Sequence, residues 1–345
     1  RHYLERGRAD KALEQFNAAR LLRSDDVEVL DGLALAHAAL GQNAQAQAAL
    51  TSLSMLRPDS AAVLQRLALA QVAGGQKVAA ALLLRRALEL DPKLVDARVA
   101  LAKLELAAGK AEEALAVARA LQREPSASTA GWILEGEVHA YQGKFAAAHA
   151  SYMKAWQARR DRDLLLKLQQ SLTALGRHDE ADELMRAWLK ERPQDQEARK
   201  HLANALLVSG RFTPALAEYE TVLKAKPDDA EVLNNMAWAA FQLQDRRALR
   251  FAERAQALSS NDPNILDTLG RILAQDGQVD RALEIFERAL SAASHRQDIR
   301  YQLAQLLLRK GDRRRARQEL EQVVAGGKEF AEHAQAVALL SKLQR

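Results

Sequence analysis

The sequence predicts an all-α solenoid of about ten helix-turn-helix repeats closed by a C-terminal capping helix, and three observations predict it. An alanine recurs at Ala12, Ala46, Ala80, Ala114, Ala148, Ala181, Ala215, Ala248, Ala282 and Ala316, in steps of 34 or 33 residues. Five residues before nine of these stands a glycine: Gly7, Gly41, Gly75, Gly109, Gly143, Gly176, Gly210, Gly277 and Gly311, with Gln244 the one departure, near a one-residue deletion. Between these marks apolar residues recur at three- and four-residue spacing, as in Leu30, Leu33, Ala34 and Leu64, Leu67, Ala68. That spacing puts one apolar stripe on each helix, and self-similarity at such a period marks a repeat array.

Each landmark has a physical task. The glycine ends the first helix of a pair by accepting a left-handed backbone, and the alanine lets the second helix come close to the first. Twelve residues beyond the alanine, Pro58, Pro92, Pro193 and Pro227 stop the second helix. Pro125 does so one place early, and Ser24, Ser260 and Ser294 stand in as turn formers or caps. One helix pair cannot bury its stripe alone. Stacking does so, at roughly 25 cal/mol per Å² of apolar surface removed from water.

The landmarks divide the chain into a first repeat over 1–26 that begins part-way through its first helix, repeats two to five over 27–161, an irregular repeat six over 162–195, repeats seven to ten over 196–327, and a capping helix over 328–345. Repeat six is irregular because Gln169 takes a place otherwise held by a small residue and Trp188 enters the second helix. Looser or rearranged packing is expected there. The capping segment carries Phe330, Ala334, Val337, Leu340 and Leu343 toward the stack. The abrupt opening at Arg1 reads as a domain cut from a longer protein.

Composition narrows the functional classes. Apolar residues make up 48% of the chain, chiefly the helix formers Ala and Leu, while Gly and Pro are sparse. The net charge of +5 is the small difference between 50 basic and 45 acidic residues, so no nucleic-acid partner is expected. Cysteine is absent, which excludes disulfides and thiolate metal sites. No apolar run approaches the roughly 20 residues that cross a bilayer. The eight histidines form no pair with metal-ligand spacing and no HExxH occurs. No convergent acid, base or nucleophile set is found, so neither enzyme activity, a metal nor a cofactor is expected. Glu112–Glu113 and Asp25–Asp26 fall at turns and helix starts, where acids offset the helix dipole. The basic cluster around Arg309, Lys310, Arg313, Arg314, Arg315 and Arg317 reads as a solvated helix face.

With an aromatic or Leu at the fourth place, Leu at the seventh, a small residue at the eighth and Ala at the twentieth, the repeat resembles the tetratricopeptide repeat over essentially the whole chain. Trp132 with Gly136, and Leu266 with Leu269 and Gly270, carry the likeness closely. The resemblance implies a right-handed superhelix acting as a non-catalytic protein-protein interaction scaffold. The last repeats also resemble the C-terminal end of the PrsT family, through Asn234-Asn235-Met236-Ala237-Trp238, Leu266-Asp267-Thr268-Leu269-Gly270, Ile299-Arg300-Tyr301-Gln302-Leu303-Ala304 and Gly327-Lys328-Glu329-Phe330. They depart from it at Arg271 and Gln302. That likeness implies a Gram-negative tetratricopeptide lipoprotein of an exopolysaccharide or PEP-CTERM system, periplasmic and tethered to the outer membrane by a lipidated cysteine outside this sequence. It makes an exopolysaccharide an alternative ligand, and a generic cytoplasmic adaptor is the other alternative.

In such a solenoid the first helices line the concave groove. In repeats two to six they offer mainly Leu35, Leu69, Val72, Val99, Leu106, Ile133, Tyr141 and Leu166. Repeats seven to ten offer Lys200, Asn204, Asn234, Asn235, Trp238, Phe241, Asp267, Arg271, Tyr301, Gln305 and Arg309. Amides, charges and aromatics together suit an extended peptide, whose backbone presents donors and acceptors at each residue, and they also suit a sugar polymer. Partner binding is therefore expected in the second half. Lys200, Asn204 and Asn235 have the spacing of the carboxylate-clamp tetratricopeptide domains that hold peptide C-termini. Where the third clamp helix would add cations, Asn264 and Thr268 stand, with Arg271 nearby.

Overall fold

The computed structural model describes residues 1–327 and 330–343. Among the described residues the regular structure is helical throughout, and the chain divides into two compact units, Arg1–Ala181 and Asp182–Arg345. The first unit contains α1 His2–Glu5, α2 Ala9–Leu22, α3 Val27–Ala39, α4 Asn43–Leu56, α5 Ala61–Ala73, α6 Lys77–Leu90, α7 Val95–Ala107, α8 Ala111–Gln122, α9 Ser128–Tyr141, α10 Phe145–Ala158 and α11 Arg162–Ala174. The unit boundary falls within α12 His178–Glu191, the second helix of repeat six. The second unit continues with α13 Gln196–Val208, α14 Phe212–Ala225, α15 Ala230–Gln242, α16 Ala248–Leu258, α17 Pro263–Gln275, α18 Val279–Ala292, α19 Gln297–Lys310, α20 Arg313–Ala325 and α21 His333–Leu343. No helix among the described residues is long and apolar enough to cross a membrane.

The repeat landmarks occupy the places their chemistry demands. All nine repeat glycines have positive φ, from +69° to +87°, and Gln244 adopts the same conformation at φ 55°. The turn thus imposes its geometry even where a side chain must accept strain. The ten repeat alanines are all buried. First helices are capped by the side chains of Asp26, Ser60, Asp161, Asp195, Asp229 and Asp262, which accept backbone N–H bonds from the first turn. Ser24, Ser260 and Ser294 stand in the turns as turn formers, while the capping belongs to Asp26 and Asp262 two places after the first two, and Arg296, two places after the third, makes no side-chain cap. Glu112 and Glu113 lie in the first turn of α8, where the dipole favours them.

Large and small residues interlock between the helices of a pair. A methyl at Gly136 would run into the Tyr152 ring, and one at Gly270 would lie 2.6 Å from the Phe286 ring. In the second unit, successive first helices also touch one another, α13 with α15, α15 with α17 and α17 with α19. Successive second helices are bridged by long side chains: Glu220 to Arg247 and Glu253 to Arg281, each at 2.9 Å, and Glu287 to Arg315. The closer approach of the first helices places them on the inner side of this unit's stack.

In repeat six both departing side chains are buried and hydrogen-bonded. Gln169 is buried and donates from Nε2 to Thr173 Oγ1 at 3.1 Å, among the buried Leu164, Leu165, Leu168 and Leu172. A buried amide is tolerated when it is hydrogen-bonded. Trp188 is buried as well, donating from Nε1 to Asp195 Oδ2 at 2.9 Å beneath the Arg192 guanidinium.

The second unit closes on α21, within the segment 328–345 expected to cap it; Lys328, Glu329, Gln344 and Arg345 lie outside the described residues. Tyr301, Ala304, Leu320, Val323 and Ala336 form its core, with Phe330, Leu339, Leu340 and Leu343 packed against it. Val337, expected in that contact, is exposed, and Leu339 takes the inward place.

Candidate functional site

The inner face of α13, α15 and α17 gathers most of the residues singled out from the sequence. The Lys200 Nζ lies 2.6 Å from Glu231 Oε2 and 3.8 Å from Asp229 Oδ2. Partial burial pulls its pKa down, but the Glu231 hydrogen bond and the charges of Asp229, Glu231 and Glu197 outweigh that, leaving it raised. Asn204 Oδ1 accepts from Tyr219 Oη and from Asn235 Nδ2, the latter at 3.2 Å. Lys200, Asn204 and Asn235 are thus brought onto one face, but each is already engaged. A terminal carboxylate approaching Lys200 would meet Glu231 and Asp229, two like charges.

One turn further, the rings of Trp238 and Phe241 lie 5.6 Å apart between centroids, tilted by 33° and both half-buried. On α17, Arg271 Nε donates to Asp267 Oδ1 at 2.9 Å, an i,i+4 pair. Burial pushes the Asp267 carboxyl above its ordinary range, against the opposing charge and hydrogen bond of Arg271.

Between α15 and the start of α17 lies a cleft of about 400 Å³ bounded by Glu231, Asn234, Asn235, Ser259, Asp262 and Asn264. Asn234 Oδ1 is buried there without a hydrogen-bond partner. Leaving a buried acceptor unmatched costs about 1–3 kcal/mol, and Asn234 Oδ1 is the atom lining this cleft that is in that state. Across the cleft Asn264 Oδ1 accepts from Arg296 Nη1 at 2.8 Å, and Arg296 also pairs with Asp298. Sequence reasoning passed over Arg296 because it lies at the N-cap of α19, outside the helical positions assigned to the groove.

Two of the proposed groove residues stand elsewhere. Tyr301 is buried and meets Phe330 edge-on at 5.7 Å between centroids, because the closing segment covers its face. Arg309 is exposed near the end of α19, remote in sequence position from the amide cluster. The mainly apolar lining expected in the first half also carries charge. Leu35, Leu69 and Tyr141 are exposed, but Leu106 belongs to the core. Lys103 and Lys167 both reach Glu137, at 2.9 Å and 2.7 Å, beside Ile133 and Leu166. The basic cluster near the C-terminus is partly neutralised by Lys310–Asp280, Arg315–Glu287 and Arg317–Glu321. Among the described residues no group of three His, Asp or Glu side chains could hold a metal.

Models of the tetratricopeptide repeat match residues 32–95, 172–239 and 273–343, together more than half of the chain. The chain belongs to the tetratricopeptide-repeat proteins. Among solved structures, a tetratricopeptide repeat protein from Parabacteroides merdae is similar with a TM-score of 0.55 at 16% identity, over 73% of this chain and 99% of that one. The APC/C hetero-tetramer Cut9–Hcn1 is similar with a TM-score of 0.51 at 15% identity, over 91% of this chain and 63% of that one. These likenesses concern the fold. No curated protein matches the chain. As a tetratricopeptide-repeat protein it is a helical-repeat scaffold of the kind that binds protein or peptide partners, and the amide-rich face of α13, α15 and α17 is where its polar groups converge.

Proposed function

We propose that the second unit holds an extended segment of a partner protein along the inner face of α13, α15 and α17. The observation that carries this reading is Asn234, whose buried Oδ1 lacks a donor in a cleft shared with the Asn235 and Asn264 amides. A peptide backbone N–H would supply it, and the neighbouring amides would meet the adjacent backbone groups. Trp238 and Phe241 would receive an apolar side chain or, as the alternative ligand, the face of a sugar ring.

The likeness of the last repeats to the PrsT family supports a finer reading. The partner then belongs to an exopolysaccharide-export or PEP-CTERM surface system, and the chain works in the periplasm, tethered to the outer membrane through a lipidated cysteine before Arg1. A lipobox cysteine in the full-length protein is expected. Cytoplasmic fractionation refutes the finer reading and leaves the groove reading standing, as that of a cytoplasmic adaptor.

The groove reading is tested by selecting extended peptides from a random display library on the whole chain, then titrating them calorimetrically. Asn234→Ala with Asn264→Ala is expected to weaken the selected peptides by about tenfold, roughly 1.4 kcal/mol, without loss of the helical fold by circular dichroism; any change in melting is read from the unliganded variant and kept apart from the affinity. Saturable binding of alginate or a neutral glucan, with no peptide selected, moves the reading to a polysaccharide-binding solenoid. Peptides that bind both variants equally refute the assigned face.

A further inference from the structure

The ten repeats act as controls for one another, and repeat three breaks their rule on its outward side. Two places before and two after the repeat alanine stand Val78 and Leu82, which are 79% and 61% exposed. In the other nine repeats these places carry charged, small or polar residues, such as Asp10 and Glu14 in the first and Asp280 and Glu284 in the ninth. The fold therefore does not need large apolar side chains there. Neither Val78 nor Leu82 is in the core, and leaving both in water forfeits their burial energy.

The two side chains form one wall of an apolar cleft of about 280 Å³ at the seam of α6 and α7, opposite Leu104, Ala107 and Ala108. Ala81, Ala107 and Ala108 keep its floor low, so a ridge of side chains from outside can enter between the two helices. The cleft's charges are Lys77, Arg85 and Lys110 against Glu105 alone. Glu105 is taken by Arg85 at 3.6 Å. The ammonium groups of Lys77 and Lys110 have no ion-pair or hydrogen-bond partner among the described residues. An apolar trough with two uncommitted ammonium groups at its edge is the complement of a helix whose apolar ridge is bordered by carboxylates. The cleft is open along its length between two helices, a shape that admits a third helix but does not enclose an acyl chain.

We propose that the α6–α7 seam is a second docking site, independent of the amide-rich face, that receives an amphipathic helix of a partner protein with an aliphatic ridge bordered by Asp or Glu. This site lies wholly in the first unit and does not rest on the reading of the second.

The test uses the whole chain and three short synthetic helical peptides. One carries leucines along one face with glutamates on both borders, one has lysines in place of the glutamates, and one has the same composition with the leucines dispersed. Fluorescence anisotropy is expected to show saturable binding of the glutamate-bordered peptide, at least about tenfold tighter than either control. Val78→Gln with Leu82→Gln should abolish it without altering the melting curve, since both side chains are exposed. Lys77→Glu with Lys110→Glu should reverse the preference toward the lysine-bordered peptide, and Asn234→Ala with Asn264→Ala should leave it unchanged. Equal binding of all three peptides, or binding insensitive to Val78→Gln with Leu82→Gln, overturns the proposal. So does binding of phosphatidylglycerol vesicles through Val78 and Leu82 without peptide binding. Self-association of the chain that these two substitutions abolish also overturns it, since the occupant is then a second copy.

Discussion

Replacing Gly270 by alanine sets two effects of similar size against each other, and the structure decides which prevails. In the middle of an exposed helix the change from Gly to Ala stabilises by about 1 kcal/mol. In α17 the new methyl would lie 2.6 Å from Phe286 Cε1, 2.8 Å from Cζ and 2.9 Å from Cδ1. Carbon–carbon contacts are comfortable at about 3.5–4.0 Å, so the ring must retreat by about 1 Å. Phe286 is 1% exposed, so its retreat displaces other buried groups, and such overpacking costs about 1–3 kcal/mol. The net expectation is destabilisation by about 1 kcal/mol, read from urea unfolding followed by circular dichroism. A double-mutant cycle isolates the cause. With Phe286→Leu the obstructing ring is gone, and Gly270→Ala should then stabilise by up to about 1 kcal/mol. The same effect of alanine at 270 in both backgrounds would refute the interlocking argument. Ala203 holds the corresponding place in repeat seven, where Tyr219 directs its hydroxyl to Asn204, so the conflict at 270 is one of ring placement and not of backbone.

Three further perturbations follow from the same geometry. Gln244→Gly should stabilise the second unit by about 1 kcal/mol by relieving a left-handed side-chain residue, whereas Gly277→Ala should destabilise it by a similar amount; an unchanged urea midpoint for Gln244→Gly counts against the strain assigned to φ 55°. Glu253→Gln removes one bridge between second helices, Glu253–Arg281, whose partners are about half exposed. It should cost about 0.2–1 kcal/mol at low ionic strength and less in high salt, and a salt-independent loss would show that the bridge acts by packing. Asp267 has a folded-state pKa raised by burial above its unfolded value. Its contribution to stability is therefore fully present below the unfolded pKa and is lost as pH rises through the folded one. Measured by urea unfolding from neutral to acid pH, Asp267→Asn should remove that gain on acidification. A parallel pH dependence in both proteins refutes the assignment.

Periodicity made the frame legible because each landmark answers a demand the backbone makes at every turn. The glycines, the alanines and the alternation of helices follow from that demand, and even Gln244, four residues before Ala248 where the others stand five before, could be located once the one-residue deletion is allowed for. The site was legible only where a position's neighbours are the same in every repeat. Tyr301 occupies a groove position by count, but the segment carrying Phe330 and α21 packs over it. Lys103, Glu137 and Lys167 were passed over because the first half was read by its commonest residue type, although Lys103 and Glu137 stand one repeat apart. Pairs such as Glu253 with Arg281 and Glu287 with Arg315 have a fixed offset of 28 residues. A search confined to neighbours within one helix cannot see it.

A departure from the repeat gains functional meaning only when its atoms remain unsatisfied. Gln169 and Trp188 depart from the pattern, yet each is buried and has a hydrogen-bond partner, so packing accounts for them. The same holds for Lys200, whose charge Glu231 and Asp229 absorb. Asn234 leaves a buried acceptor without a donor, and Val78 and Leu82 leave apolar surface in water beside two uncommitted lysines. Neither arrangement lowers the free energy of the isolated chain, since a buried unmatched acceptor and exposed aliphatic groups both cost stability. Binding is the event that would recover those costs, on the inner face of α13, α15 and α17 in the second unit and at the seam of α6 and α7 in the first.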